Sequence, residues 1–219
     1  MLKKNYSFGF NLKEDYRFPF FLICMALFLF VPSFVGKDYH DFISNVLFIL
    51  FILSSLTLIR TESQLQKIYT YLVGIIGITA EIVHNLFFHL SGTWRTIFTF
   101  ILFIYFITLL IELLGQIFNS KNITLNVVLG AFTGYLMIGI IGYLVFRFIY
   151  IADPASFDIP SSSVQDLLYF TFITLTTIGY GDISPLSDVA RNFAVILGLV
   201  GQFYNTIIIA IIIGKFLQR

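Results

Sequence analysis

Residues 172–185, FITLTTIGYGDISP, set three threonines, two glycines flanking a tyrosine, and an aspartate among long runs of Ile, Leu, Val and Phe. Oxygen-rich backbone of this kind suits a cation that must leave water. The ion's hydration oxygens have to be replaced, and backbone whose carbonyls all turn one way can replace them. Gly179 and Gly181 supply the necessary freedom, because glycine adopts positive φ without a Cβ penalty. The carbonyls of Thr177, Ile178, Gly179 and Tyr180, with the Thr177 hydroxyl, would stack as oxygen rings once several chains surround one axis. One chain cannot close such rings. Ile178 and Tyr180 are expected to point away from the axis, packing against Tyr169, Phe170 and Phe172.

A second group of residues able to do chemistry is Glu81, His84, Asn85 and His89, with Glu81, Asn85 and His89 on one helical face at i, i+4 and i+8. Ionisable groups at membrane depth are costly to bury. His84 and His89 could sense pH, or bind a divalent ion with Glu81; the plainer reading, a polar network tying helices together, is preferred. No nucleophile, base and orienting group converge, so an enzyme is not expected and no cofactor is implied. With a net charge of +1 there is no basic stripe to neutralise phosphates, which excludes a nucleic-acid partner. Cys24 is the single cysteine, so neither an intrachain disulfide nor a Cys-x-x-Cys metal motif is possible.

The elements that must position the oxygen-rich stretch are membrane helices. The chain has 219 residues, 58% of them hydrophobic and 11% charged, against about 25% charged in soluble domains. A helix crossing the hydrocarbon core needs about 20 mostly apolar residues. Six segments qualify, approximately 18–35, 42–59, 68–90, 94–118, 131–151 and 192–216, the first two being short. Pro19 and Pro32 flank the first, which lacks a small-residue cleavage site and is expected to be retained. Residues 122–130 either lie along the inner surface as a coupling helix or begin one long tilted helix.

Nine Lys and Arg residues fall on the side of the amino terminus (Lys3, Lys4, Lys13, Arg17, Arg60, Lys67, Lys121, Lys215, Arg219) and four on the other (Lys37, Arg95, Arg147, Arg191). By the positive-inside rule both termini are cytoplasmic, in the cell membrane, and residues 152–190 lie outside. Asn5 and Asn122 match the glycosylation pattern but fall on the cytoplasmic side. Within 161–185 the sequence reads as a short re-entrant helix, permitted only where buried in protein or lining water. Ser162 with Gln165, or Ser163 with Asp166, can form a capping box, and the helix's negative end then points at Thr176 to Gly181.

The run TLTTIGYGD resembles the selectivity-filter signature of the potassium channel family, with Ile178 in its valine place and Asp182 after the filter. The resemblance covers the pore module, roughly 122–219, and looks most like six-span bacterial channels. It implies an all-α membrane protein with six transmembrane helices, a re-entrant pore helix and filter, and a homotetramer around one pore. Potassium would be the permeant ion, bound at Thr177, Ile178, Gly179, Tyr180 and Gly181, with Thr176, Asp182, Tyr169 and Phe170 in support. Tyr169 and Phe170 stand where many relatives carry a tryptophan pair, and Ile173 where some carry a glutamate that pairs with the aspartate after the filter. The implied organisation is a cytoplasmic segment 1–17, a four-helix peripheral domain 18–118, a linker helix 119–130 and a pore domain 131–219.

Gly201 falls at the family's hinge glycine, whereas Gly198 reads as a packing position. Asn205 and Thr206 are expected at the cavity, and Ala210 among isoleucines at an apolar constriction. In voltage-gated relatives the fourth span carries an arginine at every third position. Here it has only Arg95 and Glu112, so a potassium channel with weak or absent voltage gating is expected. The alternatives are a potassium-uptake transporter subunit, disfavoured because one filter motif stands without internal repeats, and a nonconducting regulatory subunit.

Overall fold

The computed structural model describes residues 16–59, 64, 68, 69, 71–77, 79, 92–120, 124–159 and 164–217. Its principal helices are α1 (Arg17–Phe30), α2 (Lys37–Ser55), α3 (Gly92–Phe118), α4 (Leu125–Ala152), α5 (Val164–Leu175) and α6 (Asp188–Leu217), and residues 71–77 are also helical. Glu81, His84, Asn85 and His89 lie outside the described residues, as do Ser162 and Ser163 of the capping box and both glycosylation matches.

Among the described residues, four helical stretches are long and apolar enough to cross a membrane: Arg17–Phe34, Thr96–Phe118, Leu125–Ala152 and Asp188–Lys215. The apolar helix Phe42–Leu58 is shorter. Pro19 is accommodated in the first turn of α1, where the amide hydrogen it lacks would have had no helical partner. Pro32 opens a 3-10 turn, Val31–Phe34, that ends α1 and leads through Gly36 into α2. Helix α4 runs unbroken for 28 residues, about 42 Å at 1.5 Å per residue and longer than a perpendicular crossing requires. Residues 125–130, given to a linker helix from the sequence, are therefore the opening turns of α4, and no proline interrupts them.

Aromatic stacking holds α1, α2 and α3 together. Phe51 of α2 stacks on Phe21 of α1 at 5.2 Å and on Phe106 of α3 at 5.3 Å, and all three rings are fully buried. Polar links join the same elements: the Ser55 and Tyr105 hydroxyls are 2.6 Å apart, and Gln116 Nε2 donates to the Leu58 carbonyl at 2.7 Å. Helix α3 then packs along α4, with Phe103 and Phe148 edge to face.

The half of the chain carrying the oxygen-rich stretch is organised by α4. Its small residues admit side chains from the elements that follow: Gly139 receives the Phe172 ring of α5, while Gly142 receives Leu197 of α6 and Thr171 of α5. Phe146, one turn farther on and fully buried, touches Phe157, Phe170 and Phe193 at centroid distances of 5.5, 4.9 and 5.2 Å. One ring thus joins α4, the loop after it, α5 and α6. At the far end of α6 the Lys215 ammonium donates to the carbonyls of Ile117, Phe118 and Ser120 at 3.2, 2.8 and 2.7 Å. Carbonyls at a helix carboxyl end lack intrahelical donors, and a cation there also complements the helix dipole.

Candidate cation-coordinating site

Helix α5 is 12 residues long, about 18 Å and too short to cross a membrane. Its one acidic first-turn residue, Asp166, lies at the positive end, and the carboxyl end leads into residues 176–182. The turn out of the helix is closely bonded. The Thr176 amide and hydroxyl both donate to the Phe172 carbonyl, at 2.9 and 2.6 Å. The Thr177 amide reaches the Thr174 carbonyl at 3.1 Å, and the Gly179 amide returns to the Ile173 carbonyl at 3.1 Å. From α4, the Tyr135 hydroxyl donates to the Leu175 carbonyl at 3.1 Å. The last carbonyls of α5 are thereby partnered, and those of the next residues are left for other use.

Beyond the turn, φ alternates in sign. It is positive at Thr177 (60°), Gly179 (53°) and Gly181 (81°), and Thr177 is the only non-glycine with positive φ among the described residues. Alternation between right- and left-handed backbone turns successive amide hydrogens to one side and so presents the carbonyls on the opposite side. An extended strand would instead send successive carbonyls in opposite directions. For a β-branched residue such as Thr177 this conformation is a genuine outlier, the kind of backbone strain that clusters at functional sites.

The far end of the stretch is held by the loop that follows α4. Strand β1 (Phe157–Asp158) pairs antiparallel with β2 (Ser184–Pro185), and the Ser156 carbonyl accepts from the amides of Leu186 and Ser187 at 2.8 and 3.3 Å. Arg191 Nε donates to the Pro185 carbonyl at 3.1 Å, and Ile183 is buried. Residues 177–182 are consequently suspended between two anchored ends.

Asp182, left without a carboxylate partner when Ile173 is read from the sequence, accepts a hydrogen bond from the Tyr169 hydroxyl. That bond and the neighbouring negative charge push the Tyr169 hydroxyl up to about 12. Its ordinary value is 10, so the stabilisation is complete below pH about 10 and disappears as pH rises through about 12. Tyr169→Phe is therefore expected to lower the melting temperature by the same amount at pH 7 and at pH 9. A difference that shrinks over this interval would contradict the bond.

Phe170, expected beside Tyr169 as filter support, faces the other way. It is buried against Phe146 and Phe157, at 4.9 and 5.6 Å. Successive residues on a helix stand about 100° apart, and here the two adjacent aromatics turn to different neighbours. Phe172 likewise turns to Gly139. Ile178 and Tyr180 are 54% and 73% exposed in the single chain rather than packed on these rings. Ile173 is buried and supports the stretch through its carbonyl, as given above.

Helix α6 passes through Gly198 and Gly201 without interruption. A Cβ on Gly201 would come within 2.7 Å of both the carbonyl oxygen and Cδ1 of Leu175, whereas at Gly198 the nearest atom would be the Thr174 carbonyl oxygen at 3.8 Å. Gly201 thus marks a close approach between α6 and the end of α5. Nearby, the Tyr204 hydroxyl donates to the Ala131 carbonyl at 2.6 Å, its ring lying over Gly134. Ala190, Leu197, Gly201 and Ile208 form the buried stripe of α6. Thr206 and Ala210 lie on exposed positions, Asn205 is half-buried, and the Thr206 hydroxyl donates to the Gln202 carbonyl at 2.9 Å. Tyr135 and Leu175 were not singled out from the sequence; their link spans 40 residues and has no local pattern.

Residues 128–218, from the first turns of α4 to the end of α6, match the family model described as "Ion channel". Among curated proteins, two pore potassium channel c of Oryza sativa subsp. japonica is 39% identical over 64 residues, covering 28% of this chain and 14% of that protein. Two-pore potassium channel 2 of Arabidopsis thaliana is 33% identical over 93 residues, covering 42% of this chain and 19% of that protein. The voltage-gated delayed rectifier potassium channel KCNH5 of Homo sapiens is 51% identical over 41 residues, 18% of this chain and 4% of that protein. Each match therefore spans less than a fifth of the relative's length. No solved structure matches the chain. The chain is a mostly helical, multi-pass membrane protein whose second half is similar to potassium-channel sequence.

Proposed function

We propose that the chain is a potassium-selective channel that conducts passively across the membrane as a homotetramer, with both termini cytoplasmic. The observation that carries this reading is the alternation of φ over Thr177, Gly179 and Gly181 at the carboxyl end of a helix too short to span. Such backbone can present carbonyls of Thr177, Ile178, Gly179 and Tyr180 toward one axis, and the negative end of α5 favours a cation there. The match of residues 128–218 to an ion-channel family, and the printed names of the relatives, support potassium as the ion.

Fourfold assembly is supported by what one chain leaves open. Ile178 and Tyr180 are exposed, as are Val195, Leu199, Phe203 and Ile207 on α6. In a tetramer these side chains would meet neighbouring copies, and α6 would line the cavity with Asn205, Thr206 and Ala210. In this reading the first four helical regions form a peripheral domain with too few positive charges to draw energy from the membrane field, so conductance depends weakly on voltage.

Purified chain reconstituted into liposomes loaded with potassium is expected to take up tracer rubidium, an ion of nearly potassium's size, far faster than tracer sodium. Equal uptake of the two, or uptake no greater than in empty liposomes, contradicts the proposal.

A further inference from the structure

The peptide that joins Leu175, the last residue of α5, to Thr176 is held at both ends. Its amide donates to the Phe172 carbonyl at 2.9 Å, and its carbonyl accepts from the Tyr135 hydroxyl of α4 at 3.1 Å. Leu175 is fully buried, and among the described residues no second donor reaches this carbonyl. The bonds around the turn differ in what they join. The amides of Thr176, Thr177 and Gly179 donate to the carbonyls of Phe172, Thr174 and Ile173, which folds the turn onto its own helix without fixing either to the rest of the protein. The Tyr135 bond is the one that reaches another element. On α6, a Cβ at Gly201 would fall 2.7 Å from the same carbonyl oxygen, so that helix also packs closely on it. The Tyr135 ring lies 6.0 Å from the ring of Tyr204, whose hydroxyl is tied to Ala131 one turn earlier on α4.

Two residues beyond Leu175, Thr177 holds a φ of 60°. A β-branched residue keeps such a conformation only where its surroundings over-determine it. The local bonds give the turn its shape, and the Tyr135 hydroxyl sets its register against α4. Without that hydroxyl a buried carbonyl would be left unpaired, a costly state that is relieved by rotating the Leu175–Thr176 peptide. That rotation passes along the chain to Thr177, whose carbonyl and hydroxyl begin the stretch read as coordinating the ion.

We infer that Tyr135 is a positioning residue for ion selection: by holding the Leu175 carbonyl toward α4, its hydroxyl fixes the peptide from which the coordinating stretch departs. This inference rests on the potassium-selective reading proposed above. It assigns to a side chain outside the stretch a share in how strictly the stretch discriminates between ions.

The test is the ratio of tracer rubidium to tracer sodium uptake in liposomes, measured for the full chain, for Tyr135→Phe and for Tyr105→Phe, with assembly followed by gel filtration. Tyr135→Phe keeps the ring and removes the hydroxyl alone. Its ratio is expected to fall about tenfold, the equivalent of one hydrogen bond, while rubidium uptake persists. Tyr105→Phe removes another buried hydroxyl, 2.6 Å from that of Ser55 where α2 meets α3, and should lower the melting temperature with the ratio unchanged. With 4-aminophenylalanine in place of Tyr135, an N–H is again available to the Leu175 carbonyl, and the ratio should recover. An unaltered ratio in assembled Tyr135→Phe, or an equal fall in Tyr105→Phe, overturns the inference and leaves the channel reading standing. A full chain that takes up both ions equally overturns the channel reading, and the inference with it. Should Tyr135→Phe fail to assemble alone, assemblies formed with a threefold excess of unaltered chain decide: a lowered ratio supports the inference and an unchanged one overturns it.

Discussion

Replacing Gly179 by alanine is expected to abolish selective potassium current while the chain still inserts and assembles. At φ +53° glycine is unstrained, whereas an L-residue in left-handed backbone is destabilised by about 1–2 kcal/mol. Beyond its two chain neighbours, no atom lies within 4 Å of the position a Cβ would take, so the effect is conformational rather than a clash with other parts of the chain. The relaxed alternative is negative φ, which rotates a flanking peptide and turns a carbonyl off the shared axis. In the proposed tetramer, four copies would make the change at the same level of the pore. Thr177 already holds a strained φ of 60° in this stretch, which leaves little tolerance for a second strained residue. The check is current in bilayers with assembly followed by gel filtration. Selective current that survives in assembled Gly179→Ala would show that these carbonyls do not coordinate the ion.

The second large effect is expected at Gly201, and its neighbour provides the control. Gly201→Ala puts a methyl group against the Leu175 carbonyl, a backbone atom that cannot swing aside. Overpacking of this kind destabilises by about 1–3 kcal/mol. It would also press on the helix end from which the coordinating stretch departs. Gly198→Ala meets nothing closer than 3.8 Å and should gain up to about 1 kcal/mol of helix propensity. Melting temperatures of the two variants should therefore move in opposite directions. If both rise, close packing is not what requires glycine at Gly201, and the hinge role inferred from family resemblance becomes the better explanation.

The parts of this arrangement that could be read from sequence are those encoded locally. Thr176 to Asp182 stand out because small and polar residues interrupt an apolar chain, and the short helix before them because its apolar run is too brief to span. Helix α6 and the body of α4 follow from apolar length alone. What could not be read depends on residues distant in the chain. Asp182 finds Tyr169 across an irregular turn, Leu175 finds Tyr135 across 40 residues, and Lys215 reaches the end of α3 across more than 90. Phe170 shows the complementary limit: adjacency to Tyr169 suggested a shared role, yet helical geometry sends the two side chains to different neighbours. The opening turns of α4 were ambiguous because an apolar segment beginning at a membrane surface has the same composition whether it lies flat or continues inward.

The most direct test of potassium-selective conduction is the reversal potential of purified chain in a planar bilayer with potassium on one side and sodium on the other. A value close to the potassium equilibrium potential is expected, with conductance changing little between negative and positive voltages. A reversal potential near zero or near the sodium equilibrium potential would contradict it.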